Sequence, residues 1–283
     1  MHRTRQVYFF FPMFHNDFLT REAKIILMVR CFARALRYSA AYINTYKIHL
    51  HINGTALNEK EFSEYYQYLK LLFRQDIHLT SSPEAGKLQG INAAIVEARK
   101  DGFNLFFCLD NDIVFSEHLI KEIIYKSLAD TNSAAITLYK APYVHATSNE
   151  FQRLYSFGIY HSLANNLYQK RPTGSFYCLN LFVFDSFPEG CNEGDYLDRI
   201  AIQRCIIPVY SEYPLTFELE IERRRKHLSA SKSINYERLH LNKGYLLEQM
   251  KKPFLPNVIK TERYFDALAL QFNLIEVINN YGF

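Results

Sequence analysis

The 283-residue sequence has no tryptophan, no C-x-x-C pair, no internal repeat, no low-complexity segment and no apolar stretch of membrane-spanning length. Without tryptophan, the 21 Tyr and 23 Phe must supply the aromatic bulk, so the core and any ligand groove are expected to be rich in phenyl rings. The five cysteines, Cys31, Cys108, Cys178, Cys191 and Cys205, are odd in number, widely spread and mostly inside apolar runs. They are read as reduced core residues, and zinc is not expected. A large charge excess is also missing: the net charge of +4 is weak for a nucleic-acid binder but suits a protein that handles a phosphorylated substrate or touches an anionic surface. At the amino terminus, Tyr8-Phe-Phe-Phe-Pro12 breaks too early for a signal peptide, so a cytoplasmic protein is expected, with peripheral membrane contact left open. No Pro/Gly linker forces a domain cut, and the length accommodates one large domain or two small ones.

What is present is an alternation of short apolar runs and helical patterns. Strands are expected at Gln6 to Phe11, Lys47 to Gly54, Asp76 to Thr80, Phe103 to Leu109 and Ser133 to Tyr139. Helices are expected at Thr20 to Tyr38, Glu59 to Phe73, Leu88 to Arg99 and Glu117 to Leu128. With no hairpin signals between them, this half reads as a parallel, doubly wound α/β layer. The second half is less regular: a strand-like run at Gly174 to Phe184, a helical pattern at Asp195 to Cys205, a densely charged tract at Glu218 to His227 and an amphipathic tail at Thr261 to Asn279.

The most informative segment is Asn104-Leu-Phe-Phe-Cys-Leu-Asp-Asn-Asp112, a buried strand that ends in two carboxylates. Continued extended, the chain would point Asp110 and Asp112 to one side and Asn111 to the other, so that both carboxylates converge on one cation. Oxygen-only ligands favour Mg²⁺ or Mn²⁺, and the carboxyl end of such a strand is where ligands of α/β sheets bind. His49 and His51 alternate on one strand face; with no third ligand near them in sequence, they are read as a structural pair.

Gly86-Lys-Leu-Gln-Gly-Ile-Asn-Ala-Ala-Ile, followed by the strand ending in Asp110 and Asp112, resembles the GT-A nucleotide-sugar transferases, particularly family 2. Gly174-Ser175, Glu193-Gly-Asp-Tyr196 and His227-Leu-Ser-Ala-Ser231 follow in the order of that family's acceptor-side strand, acidic catalytic motif and late metal-ligand histidine. The resemblance implies a GT-A (Rossmann-like), mostly parallel sheet flanked by helices. It places a glycosyltransferase domain at 1–245, with a nucleotide-sugar half to about 140 and an acceptor half to 245, and a C-terminal helical extension at 246–283.

It also implies a metal-dependent transfer of a sugar, with inversion, from a nucleotide-diphosphate donor (a UDP-sugar favoured) to a hydroxyl on a glycan, lipid-linked or protein acceptor. The metal, Mn²⁺ or Mg²⁺, would be held by Asp110, Asp112 and His227. Asn53, Lys87, Asn92, Asp110 and Arg225 would contact the nucleotide. Asp195 would be the base, with Glu193 second because the family's acidic pair is interrupted by Gly194. Phe176 or Tyr177 would stack on a sugar ring, and Glu218 to Ser231 would form a flap over the donor. Two alternatives stay open: a nucleotidyltransferase of related topology, and an inactive carbohydrate- or protein-binding domain of the same fold.

Overall fold

The computed structural model describes residues 5–15, 17, 22–83, 86–138, 140–142, 174–191, 193–197, 199–200, 202–204 and 209–211. The chain divides into two compact units, one of Met1–Ala141, Lys170–Glu189 and Glu193–Ser211, the other of Pro142–Gln169, Gly190–Asn192 and Glu212–Phe283. The first unit carries the architecture that follows. Among the described residues, no helix is long and apolar enough to cross a membrane.

Among the described residues, ten strands and five α-helices follow one another as β1 (Arg5–Phe14), α1 (Glu22–Ser39), β2 (Ile43–Asn53), α2 (Glu59–Phe73), β3 (His78–Ser82), α3 (Lys87–Lys100), β4 (Leu105–Leu109), β5 (Ile113–Phe115), α4 (Leu119–Ala129), β6 (Ala135–Thr137), β7 (Lys140–Pro142), β8 (Phe176–Asn180), α5 (Glu193–Leu197), β9 (Ile202–Arg204) and β10 (Val209–Ser211). Seven strands form one sheet in the order β3-β2-β1-β4-β8-β6-β9. β3, β2, β1 and β4 run parallel, β8 is antiparallel to both β4 and β6, and β9 is parallel to β6. The expected parallel layer is therefore present, with one reversed strand inserted beside β4. A second, three-stranded sheet has the order β5-β10-β7.

Local sequence explains most boundaries. Asn58 caps α2 reciprocally with Glu61, each side chain accepting the other's backbone N–H at 3.0 Å, and Arg74 closes the helix in the left-handed region at φ 56°. β2 stops at Asn53 because Gly54 turns at φ +86°, and the N–H groups of Gly54 and Thr55 both donate to Ser82 O. β1 runs on through Pro12, where a break was expected. Its pairing with β4 ends at Phe10, so the N–H that Pro12 lacks removes no ladder bond on that side. The helix expected from Asp195 to Cys205 ends at Leu197, and Ile202–Arg204 joins the sheet as β9. Ile113–Phe115 is a strand of the second sheet paired with β10.

The core is asymmetric across the sheet. Val7, Phe9, Phe11 and Met13 of β1, Ile48, Leu50 and Ile52 of β2, and Leu105, Phe107 and Leu109 of β4 pack with buried residues of α1, α2 and α4 in one apolar cluster. The alternate residues of the same strands turn towards α3, which packs on β1, β2 and β4. There Tyr8, Phe10 and Phe106 stack or meet edge-on with His49 and Phe103.

Candidate active site

On the α3 side, three acceptors converge on one ammonium group. Lys87, the first residue of α3, places Nζ 2.8 Å from Asp110 Oδ1, 3.1 Å from Glu193 Oε2 and 3.1 Å from the carbonyl of Gly174. An ammonium has three protons, so Lys87 is fully used. Each partner is held in turn by its own element. Asp110 follows β4, and its N–H donates to Ser175 O at 2.8 Å, tying it to the approach of β8. Glu193 opens α5 and accepts at Oε2 from the hydroxyl of Tyr177, a β8 residue with no solvent exposure.

Burial sets the electrostatics. The side chains of Lys87, Asp110 and Glu193 are only 22 %, 25 % and 12 % exposed, so the charges interact in a medium far less screening than water. Burial works against the Lys87 charge, yet the neighbouring Asp110 and Glu193 carboxylates outweigh it and hold the ammonium well above its ordinary value. Burial raises the Glu193 carboxyl, and the Asp110 charge adds to that, against the opposing pull of Lys87. Burial likewise pushes the Tyr177 phenol well up, so it stays protonated and donates to Glu193.

The residues between Asp110 and β5 form a turn, so the extended alternation expected for Asp110, Asn111 and Asp112 does not hold. Asn111 is buried and gives its Nδ2 protons to Asp17 Oδ2 at 2.9 Å, while Asp17 also accepts from the N–H of Phe14 at 3.3 Å. The turn after β4 is thereby pinned to the segment after β1, and Asp110 and Asp112 flank the pin as half-buried residues.

Other expected residues have different fates. Asn53 is buried at the end of β2, donating to Met13 O at 3.3 Å, and its Oδ1 has no partner among the described residues. Asn92 lies inside α3 and not in the turn before it. Its amide bonds to Phe187, donating to the carbonyl at 2.9 Å and accepting from the N–H at 3.0 Å. Phe176 and Tyr177 are both fully buried, so neither offers a face to a sugar ring. Asp195 lies on α5, but its side chain is outside the described residues, as are Arg225, His227 and the whole of Glu218 to Ser231. Tyr177 is the contributor that sequence reasoning placed in another role; the only hint was its position three residues after Gly174.

No family model matches the sequence, and no curated protein matches it. Solved structures do resemble it in shape. The mannosyltransferase PcManGT from Pyrobaculum calidifontis, in complex with GDP-Man and Mn²⁺, aligns with a TM-score of 0.52 at 13 % identity over 96 % of this chain and 70 % of that one. A protein assigned as a nucleotide-diphospho-sugar transferase from Desulfovibrio desulfuricans G20 aligns over 97 % and 98 % of the two chains at 11 % identity, with a TM-score of 0.41. The sheet order and the first of these likenesses show a GT-A-like fold.

Proposed function

We propose that the chain is a glycosyltransferase that moves a sugar from a nucleotide-diphosphate donor to a hydroxyl acceptor, with Glu193 as the base and Lys87 as the cation that holds Glu193 beside Asp110. The observation that carries this reading is the Asp110–Lys87–Glu193 constellation at the carboxyl end of β4, where ligands of open α/β sheets bind. Transfer with inversion needs a base to take the acceptor proton, and a buried carboxyl with a raised pKa is suited to that task near neutral pH. Tyr177 fixes the orientation of Glu193, and Lys87 opposes the effect of burial on its charge. This moves the base from Asp195, the first expectation, to Glu193.

Asp110 and Asp112 are the residues that would hold a divalent cation. The donor set fits: all-oxygen ligands suit Mn²⁺ or Mg²⁺, and Asp110 already draws a positive charge to 2.8 Å. Such an ion supplies Lewis-acid stabilisation of the charge growing on the leaving diphosphate. The bound GDP-Man and Mn²⁺ of the Pyrobaculum neighbour favour the same donor class, and GDP-sugars join UDP-sugars as donors to screen.

The test separates binding from chemistry. Glu193→Gln is expected to retain donor affinity, measured by calorimetry with Mn²⁺, and to lose transfer by about 10²–10⁴-fold. If Asp195→Asn shows that pattern and Glu193→Gln does not, the base belongs to Asp195. Asp112→Asn is expected to remove the Mn²⁺-dependent part of nucleoside diphosphate binding while preserving the fold, and unchanged Mn²⁺ dependence would sink the metal assignment. In the active enzyme the acid limb of the pH–rate profile should lie above the ordinary carboxylate range, because burial holds the Glu193 proton on.

A further inference from the structure

The same sheet face holds a second cluster of ligating groups at the opposite end of α3, built from residues that the transferase reading does not use. β2 and β3 are parallel neighbours whose register sets His49 beside His78, with ring centroids 4.5 Å apart. Glu97, near the end of α3, lies close to both rings, with Oε1 3.3 Å from His78 Nε2 and Oε2 3.9 Å from His49 Nδ1. One ligand atom from each of the three residues lies within 4.8 Å of the other two. From this geometry we infer that His49, His78 and Glu97 form a zinc site, with water in the fourth position, that fastens the edge strand β3 to β2 and α3.

Distances and chemistry both favour that ion. In tetrahedral zinc with bonds of about 2.0–2.1 Å, adjacent donors stand roughly 3.3–3.4 Å apart, which the closest pair already meets. A pair at the 4.8 Å limit must draw in by about 1.4 Å, and the freedom exists because the His78 and Glu97 side chains are 38 % and 29 % exposed. Two imidazoles and one carboxylate suit zinc better than Mg²⁺ or Mn²⁺, which take oxygen ligands. The buried member is also aimed and kept neutral. His49 Nε2 lies 2.6 Å from the hydroxyl of Thr80, the kind of partner that orients a ligating ring, and burial holds the His49 pKa down to about 2.

The cluster already attracts a cation. Lys47 Nζ sits 2.6 Å from Glu97 Oε1 and 2.9 Å from Asp101 Oδ2, and 5.6 Å from the centre of the Tyr8 ring. Zinc therefore competes with Lys47 for Glu97 and with the Tyr8 hydroxyl, 2.6 Å from His49 Nδ1, for that nitrogen. The Tyr8 hydroxyl keeps a partner in Glu97, whose hydrogen bond it can use instead.

The experiment titrates metal-stripped full-length protein with ZnCl₂ in excess Mg²⁺, followed by calorimetry and by thermal unfolding. One zinc per chain should bind and raise the unfolding temperature. His78→Ala and Glu97→Gln, both at partly exposed positions that tolerate substitution, should each weaken zinc by about tenfold or more, whereas Lys47→Met should tighten it. Co²⁺ substituted at the site should give the intense visible absorption of four-coordination, lost in His78→Ala. Asp112→Asn should leave zinc affinity unchanged, which keeps this site separate from the proposed Mn²⁺ site. Failure of the wild type to bind zinc, or wild-type zinc affinity in both His78→Ala and Glu97→Gln, overturns the proposal.

Discussion

The two faces of the seven-stranded sheet are made from alternate residues of the same strands, yet they do different work. Towards α1, α2 and α4 the fully buried positions on β1, β2 and β4 are all apolar. Towards α3, the matching positions on β2 read Lys47, His49, His51 and Asn53, and Tyr8, Cys108 and Tyr177 stand on the neighbouring strands. Each buried polar group on this side is costly unless bonded, and most are bonded to one another: Thr80 Oγ1 serves both His49 Nε2 and His51 Nδ1, at 2.6 and 2.7 Å. The difference teaches that one face holds the sheet together while the other, supported by the first, can carry charges. Both candidate sites lie on that second face, one at each end of α3.

The largest break in this comparison should come from the apolar side. Phe107, fully buried on β4, should cost about 3–5 kcal/mol when changed to Ala, read as a fall in denaturant midpoint with little change in slope. A loss under about 1 kcal/mol would show that this face does not carry the stability.

Gly90→Ala tests how tightly α3 lies on the polar face. An added Cβ would fall 2.6 Å from His51 Cδ2 and 2.8 Å from its Nε2, on a buried ring held by Thr80. The helix gains about 0.5–1 kcal/mol from replacing glycine, but the overlap costs about 1–3 kcal/mol, so the net effect on thermal unfolding should be destabilising. Net stabilisation would mean that α3 can lift away from the sheet at no cost.

Acid should act through the same histidines. Unfolded, the imidazoles take up protons near their ordinary value of 6.5; folded, burial, aided by the charges of His78, His51 and Lys47, holds His49 down to about 2. Burial also lowers His51. Between those values the unfolded chain binds more protons, so the stabilising contribution is complete above about pH 6.5 and is lost as pH falls towards 2. The loss from His49 should approach about 1.4 kcal/mol per pH unit, measured from urea midpoints across that range. His49→Gln should flatten the slope. The smallest effect belongs to the outer side of α3, where Val96 is 65 % exposed: Val96→Ala should change stability by less than about 0.5 kcal/mol.

The parallel half of the sheet was legible because its strands are long apolar runs and its helices carry periodic patterns; α2 was read to the residue, from Glu59 to Phe73. The three-residue strands β5 and β9 were not, since so short a run has no period to detect, and the pattern after Asp195 passed for a helix that ends at Leu197. Lys87, Asp110 and Glu193 were each picked out singly. Their convergence was not readable, because it depends on β8 lying antiparallel beside β4, a pairing fixed by tertiary packing and not by local sequence. The histidine pair was read as structural for lack of a third ligand; His78 and Glu97 reach it from β3 and α3, which no spacing rule anticipates.

The place of β8 sets an order in time. β1 to β4 lie together near the start of the chain and can pair as soon as they are made, leaving the apolar strand Leu105–Leu109 with one edge open. That edge waits for Phe176–Asn180, which lies later in the chain than the other four strands and can pair with β4 only after they exist. Gly174, Ser175 and Tyr177 arrive with the closing strand, and Glu193 follows it. A nascent or truncated chain thus exposes a sticky edge before it has Glu193, and the Lys87–Glu193 contact follows the closing strand.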